Sequence, residues 1–466
     1  MTNARTVTPP QRQRRERTTR REIDRRALIQ YLGAGAASLF APHVVSAQPQ
    51  GPAFPLGGGP LFLEAARLFD GTQVIAPAGG VRVMVENGMV TRLGDAANVP
   101  VPADVRLFRA PRGTIMPGLI DLHFHIEEDP AMALRQLGNG ITAFRDPGEW
   151  LEVHEPLRAR ITAERLPGPR LFLTGPHIDG EQPAYPKDSV VARDPEEARR
   201  QVHRAVDAGA TAIKIYYRLP LGSAIAVIQA CHERAVPSTA HLEIVDAGEL
   251  IAAGLTGIEH ITSFGVSIAA PMAAEAYRQA MLAENSARRD GRYALFAEAD
   301  LDGPQARRLY ATVAKRQPFV DATLAVFEAR PTDPTPRGGT ASPAVRAAGF
   351  KKMQALVKRL HDNGARIVMG GHTEVPHAGC GEAPWRELEL IADSGLTTVE
   401  TLAAGTRHAA AFLGKGGEAL GAVRAGAPAD LLLVDGDPST TIGDVRRITQ
   451  VIANGVPVDI ARLRTL

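Results

Sequence analysis

The sequence predicts an α/β fold in which a parallel sheet built from β–α units is joined by a small β-rich domain made from both ends of the mature chain. Three observations predict it. Short apolar β-like runs alternate with helical stretches through the middle, β-like hairpin runs precede that middle, and further β-like runs close the chain. A β–α rhythm implies a parallel sheet, either a barrel or doubly wound, because parallel neighbours need a crossover connection.

Length and composition set the bounds. A chain of 466 residues holds one large core with a satellite, or two to three ordinary domains. Its 44% apolar and 22% charged residues are ordinary for a globular chain. No apolar run reaches the length of a membrane helix. The net charge of +2 is unevenly placed: residues 1–47 hold nine Arg, no Lys and three acids, a local +6, which leaves −4 for the rest. A mildly acidic body argues against nucleic acid as a partner. Two cysteines, Cys231 and Cys380, make no disulfide framework and read as separate thiols, although a single bridge between them stays open.

The front of the chain reads as an address. Asp24-Arg25-Arg26-Ala27-Leu28-Ile29-Gln30 leads into a Gly/Ala-rich apolar stretch to about Ala41, and Val45-Ser46-Ala47-Gln48 offers small residues for signal cleavage after Ala47. The paired arginines followed by Leu-Ile resemble a twin-arginine export signal, with Asp24 where Ser or Thr is more usual. The expectation is a periplasmic or secreted mature protein with no stable membrane anchor after cleavage.

Residues 49–60 are Pro/Gly-rich and read as a linker. The runs Leu61-Phe62-Leu63, Val81-Arg82-Val83-Met84-Val85 and Met89-Val90-Thr91-Arg92-Leu93 predict strands, and Asn87-Gly88 predicts a hairpin turn. In the middle, Ala212–Tyr216, Ser238–His241, Gly257–His260, Phe319–Leu324 and Arg366–Met369 predict parallel strands, with helices at about 222–235 and 246–253. Asp430–Val434 and Ile448–Gly455, the latter turning at Asn454-Gly455, supply the closing β segment.

One segment carries the chemistry. In Met116-Pro117-Gly118-Leu119-Ile120-Asp121-Leu122-His123-Phe124-His125 a turn precedes an apolar strand. Residues i and i+2 of a strand share a face, so His123 and His125 project side by side, the spacing two imidazoles need to share a metal. Lys214, His241 and His260 fall at the ends of later strand-like runs. In a (β/α)8 barrel such ends converge on one face. Taken singly, each has a plain structural explanation; together they point to a metal site.

These segments, with Ala427-Pro428-Ala429-Asp430-Leu431-Leu432-Leu433-Val434 and Val451-Ile452-Ala453-Asn454-Gly455, resemble the amidohydrolase superfamily over essentially all of residues 61–460, most of all its imidazolonepropionase/prolidase-like branch. The resemblance implies a (β/α)8 TIM barrel over residues 116–416 and a composite β-sandwich domain from residues 61–115 and 417–460. It implies that His123 and His125 bind the more buried of two zinc ions, that His241 and His260 bind the other, and that Lys214 is carboxylated to bridge them. Another divalent metal, or a single ion, stays open. The implied activity is hydrolysis of a carbonyl-centred C–N or C–O bond (amide, cyclic amide, carbamate, ester or lactone) in a small-molecule substrate.

The family pattern breaks at the last barrel strand. An Asp is usual where Ile367-Val368-Met369-Gly370-Gly371-His372-Thr373-Glu374 places His372. A neutral imidazole can both ligate and shuttle a proton, so His372 is the expected catalytic partner of Lys214, with Glu374 and Asp321 as rival bases. Tyr216, Arg218, Glu243 and His377 are the leading substrate-contact candidates, followed by His177, Tyr185, Tyr217, Arg292 and Tyr293. Asp146, ending the second candidate strand, reads as structural support. Two other readings stay open: a periplasmic metal- or ligand-binding protein whose site has decayed, and a lyase or isomerase on the same barrel. Oligomeric state is open, and a homo-oligomer is compatible with the sequence.

Overall fold

The computed structural model describes residues 59–126, 130–164, 167–335 and 339–466; the expected export leader lies outside them. At the front, β1 (Leu61–Phe69), β2 (Val74–Ile75), β3 (Val81–Glu86), β4 (Met89–Asp95) and β5 (Arg106–Pro117) form a sheet. Strand β3 alternates buried and half-buried residues, the mark of one face on a core. Asn87 and Gly88 both have positive φ, 52° and 78°, the geometry a two-residue hairpin between right-twisted strands requires.

The parallel strands follow: β6 (Leu119–Asp121), β7 (Ile141–Asp146), β8 (Arg170–Leu173), β9 (His177–Asp179), β10 (Ser189–Val191), β11 (Ile213–Ile215), β12 (Ser238–His241), β13 (Gly257–Glu259), β14 (Phe319–Asp321) and β15 (Arg366–Val368). The chain closes with β16 (Leu431–Val434), β17 (Ile448–Ala453) and β18 (Val456–Pro457).

Both ends of the chain meet on β5. Its twelve residues pair β1 in parallel from Arg106 and β16 antiparallel through Thr114–Pro117. The strand order β18-β17-β16-β5-β1-β3-β4, with β2 on β1, is therefore one eight-stranded sheet. The two ends thus pair as expected, but in a single sheet where a composite β-sandwich was expected, because β5 hydrogen-bonds both groups. Leu61, Leu63, Val83, Val85, Leu431 and Ile452 share its core.

The parallel strands fall into two sheets, β6-β7-β8 and β10-β9-β11-β12-β13-β14-β15. From β11 to β15 the order follows the sequence, whereas a doubly wound sheet reverses at a switch point. Backbone hydrogen bonds join the two sheets at both seams. Leu122 donates to Met369 at 3.0 Å and His372 to His123 at 2.8 Å; across the other seam Thr211 donates to Leu173 at 2.7 Å. Helices cover the outer face, packing Leu250, Val313, Met353 and Leu356 into one core with strand residues Ile213, Ile258, Val320 and Ile367.

Beneath the strand ends, Phe412 stacks on Phe319 with ring centroids 4.7 Å apart, and the Arg145 guanidinium lies 4.3 Å from the Phe412 ring. Gly257 makes room for this stack: a Cβ there would fall 2.2 Å from the Phe412 ring carbon Cζ. Because neither Phe412 nor Arg145 can withdraw into solvent, Gly257→Ala is expected to destabilise the fold by about 1–3 kcal/mol, the ordinary cost of overpacking a core. A denaturant midpoint shift with unchanged slope is the measurement that checks it.

Candidate metal centre

The chain places its basic ligand types where the parallel strands end. Lys214 lies in β11, His241 ends β12, His260 follows β13, His123 and His125 follow β6, and His372 follows β15. The strand predicted through His125 stops earlier, at Asp121. Its backbone nevertheless keeps bonding alternately to both neighbours: Leu122 donates to Met369 and Phe124 to Arg145. That preserves the two-residue alternation, and the His123 and His125 rings lie 5.1 Å apart between centroids.

The remaining rings close around His123. Its centroid lies 4.4 Å from that of His260 and 5.2 Å from that of His372, while His241 lies 4.4 Å from His260. Donor atoms of His123, His125 and His372 all fall within 4.8 Å of one another, and so do those of His123, Glu259 and Asp321. Lys214 and the five histidines line one cavity of about 420 Å³ with Glu149, His177, Tyr185, Tyr216, Arg288 and Phe327, among others.

A second layer holds the rings. His123 Nδ1 hydrogen-bonds the Glu259 carboxylate at 2.6 Å, and Glu259 is itself fixed by Arg145 at 2.6 Å and by the Thr239 hydroxyl at 2.7 Å. His260 Nδ1 meets Thr323 Oγ1 at 2.7 Å, and His241 Nε2 meets Glu243 at 3.0 Å. His125 Nδ1 lies 3.6 Å from Asp146, whose other oxygen accepts the Ile126 N–H. An imidazole with one nitrogen tied to a carboxylate or hydroxyl is the usual arrangement for metal ligation. The nitrogens His241 Nδ1 and His372 Nδ1 are buried without a hydrogen-bond partner, and so are both Asp321 oxygens. Buried polar atoms are rarely left so, and a divalent cation fits this donor set.

Burial controls the protonation states. It lowers His372 to about 3 and His241 to about 4, and takes His123 and His260 well below the usual imidazole range. These four rings are therefore neutral, the form that ligates, whereas His125 is raised: burial lowers it, but the Asp146 carboxylate beside it outweighs that. Burial, reinforced by Arg145 and opposed by Glu259, brings Lys214 down to about 8. Burial and the neighbouring Glu259 push Asp321 well above the carboxylate range. Two of these residues also hold strained backbone: His260 and His372 have φ of 63° and 61°. Non-glycine residues seldom adopt such values, which persist where the surroundings over-determine them.

Of the residues singled out in the sequence, His123, His125, Lys214, His241, His260, His372, Tyr216, His177, Tyr185 and Arg292 line the cavity. Others do not. Arg218 is spent on Asn285 and the Met281 carbonyl, both at 2.8 Å, and His377 pairs with Asp333 at 3.1 Å. Glu243 stands behind His241 and holds it. The Tyr217 and Tyr293 hydroxyls are turned to Asn285 and the Phe327 carbonyl. Glu374 is exposed, and Asp321 is sealed beneath His123 at 3.6 Å. Asp146 takes the supporting place read for it, and Cys231 and Cys380 are free thiols, one buried and one exposed. Sequence reasoning missed Glu259, Arg145, Thr323 and Arg288. Alternation sends Glu259 and His260 to opposite faces; the positive φ of His260 breaks it, so both side chains reach the same centre.

The amidohydrolase family model matches residues 114–458. No curated protein sequence matches the chain. Among solved structures, a protein of Bifidobacterium longum assigned as a prolidase is 23% identical with a TM-score of 0.65, covering 87% of this chain and 98% of its own. A Xaa-Pro dipeptidase with methionine bound in its active site is 18% identical with a TM-score of 0.64, covering 86% of this chain and 99% of its own. The A. niger ochratoxinase is 17% identical with a TM-score of 0.62, covering 85% and 95%. With its strand-end histidines and lysine in one cavity and a family match over most of its length, the chain belongs to the amidohydrolase family and is a metal-dependent hydrolase of C–N bonds.

Proposed function

We propose that the protein hydrolyses an amide-type bond in a small molecule that carries a carboxylate. The observation that carries this reading is the convergence of six histidines and Lys214 on one cavity that also contains Arg288. The Arg288 guanidinium donates to the Tyr217 hydroxyl at 3.0 Å and to the Tyr185 hydroxyl at 2.7 Å. Among the described residues no carboxylate lies within ion-pair distance of it. A half-buried cation held only by neutral partners favours an anionic ligand. The dipeptidase with bound methionine and a prolidase complexed with N-methylphosphonate-L-proline hold ligands of this kind.

His123 and His125 would hold one divalent cation and His241 and His260 a second, with Lys214 carboxylated between them. Zinc suits so many imidazoles. The metals supply an activated hydroxide and a polarised substrate carbonyl. The chain's own residues do the rest. Lys214, brought near neutrality, offers the free amine that carbon dioxide needs to form a carbamate. Arg288 and Tyr185 take the substrate carboxylate and fix the scissile amide against the wall formed by Tyr216 and His177, whose rings lie 4.3 Å apart. His372, acting here as the base and not as a ligand, receives the proton at its open Nδ1 and, being a weak base in this setting, passes it to the far more basic leaving amine. Water thus adds to the carbonyl carbon, the C–N bond breaks, and the amine leaves protonated.

The seam hydrogen bonds support a closed (β/α)8 barrel. The leader sequence supports twin-arginine export to the periplasm or beyond. Assembly into a homo-oligomer is compatible with this reading.

Chelation of purified protein is expected to abolish turnover and zinc to restore it, while His123→Ala stays inactive after zinc; chelator-resistant turnover would overturn the metal reading. A decayed binding protein would turn over nothing, and a lyase or isomerase would leave no oxygen-18 from water in its product. Arg288→Met is expected to raise KM about ten- to a hundredfold for carboxylate-bearing amides, the value of a lost charge-assisted hydrogen bond of about 1.5–3 kcal/mol. It should leave amides without a carboxylate nearly unaffected. Equal loss on both substrate types in steady-state kinetics would remove Arg288 from substrate binding.

A further inference from the structure

The segment after β14 touches both halves of the site. Thr323 Oγ1 lies 2.7 Å from His260 Nδ1, where it accepts the N–H of the tautomer that leaves Nε2 free for a metal, and Thr323 has φ of 45°. Directly after it, the short helix Leu324–Phe327 carries Val326 and Phe327 into the cavity wall. The helix Ala383–Asp393 grips this segment at both ends with adjacent side chains. At the front, Glu387 accepts the Ala325 N–H at 2.7 Å. At the rear, Arg386 donates to Glu328 at 2.8 and 2.9 Å.

Glu387 has no surface exposure, and its second carboxylate oxygen has no hydrogen-bond partner. Burial pushes its carboxyl up to about 8, so it is largely neutral at pH 7. A buried acid without a cationic partner is expensive for the fold to keep. Its visible work here is to satisfy the N–H two residues beyond Thr323, whose backbone is left-handed and whose hydroxyl orients His260. Without the acceptor, the Ala325 N–H would be buried unsatisfied and Thr323 could relax toward ordinary backbone.

We propose that Glu387 is a positioning residue for His260, acting through Thr323, and that Arg386 beside it fixes the far end of the same segment. The inference rests on the metal-site reading above, in which His260 is a ligand. Removing outer partners of metal ligands ordinarily costs about ten- to a hundredfold in affinity.

The test is zinc content and zinc affinity of the purified mature protein, measured by elemental analysis and by competition with a chromophoric chelator, with thermal unfolding as a check on folding. Glu387→Leu and Thr323→Val should each weaken zinc binding about ten- to a hundredfold. Glu387→Gln should bind zinc nearly as the parent does, because its amide oxygen accepts the same N–H. Folded Glu387→Leu or Thr323→Val protein that holds zinc as tightly as the parent would overturn the proposal. So would Glu387→Gln protein as weak as Glu387→Leu. Should Glu387→Leu fail to fold, Thr323→Val and Glu387→Gln decide between the same outcomes. A parent protein that takes up no zinc would instead refute the metal-site reading, and the proposal with it.

Discussion

The site depends on one buried carboxylate. Glu259 accepts from the Arg145 guanidinium at 2.6 Å, from Thr239 at 2.7 Å and from His123 at 2.6 Å, with Lys214 3.8 Å away, so β7, β12, β13, β11 and the turn after β6 are tied to a single group. Arg145 and Glu259 are both wholly buried, and such a pair survives desolvation only when its geometry is complete. It is nearly so here. Arg145 also lies over the Phe412 ring and donates to the Leu122 carbonyl, which anchors the chain one residue before His123. The same charge sets the electrostatics above it: Glu259 opposes the desolvation of Lys214 and raises the neighbouring Asp321, so one carboxylate is ionised and the other neutral.

Much of this arrangement was legible in the sequence because local rules decide it. The hairpin at Asn87-Gly88 and the turn at Asn454-Gly455 have the positive φ values that only such pairs accept readily. The β–α rhythm placed β11, β12, β13 and β15 within a residue and overran β14 by three, but did not locate β8, β9 or β10; the strand-end placement of Lys214, His241 and His260 follows from that rhythm. The two-residue spacing of His123 and His125 survived even where the ladder itself ended. What local rules do not contain is partner choice across the fold. Arg218 and His377 carry suitable chemistry but are claimed by Asn285 and Asp333, neighbours that no spacing reveals. Arg288 reaches the cavity from a helix 28 residues after His260, a placement set by the packing of the long connection and not by any periodicity.

His260 and His372 show the opposite limit. Both leave their strands through positive-φ backbone, a conformation that strand periodicity does not suggest, and both gain their direction from it. His372 then presents an imidazole where the family ordinarily presents a carboxylate. A neutral group in place of an anionic one would leave a metal centre there more positive, and a carboxylated Lys214 would supply negative charge beside it. On the proposed reading His372 and Lys214 would be linked by charge balance, the imidazole at one strand end being tolerable if Lys214 at another is carboxylated.

The measurement that tests this most directly is the metal and carbamate content of the purified mature protein produced with ¹³C-labelled bicarbonate, by elemental analysis together with ¹³C NMR. The account predicts about two metals per chain and one carbamate carbon that disappears in Lys214→Ala. One metal and no carbamate signal would contradict it, because His372 would then have replaced the bridged centre instead of being accommodated within it.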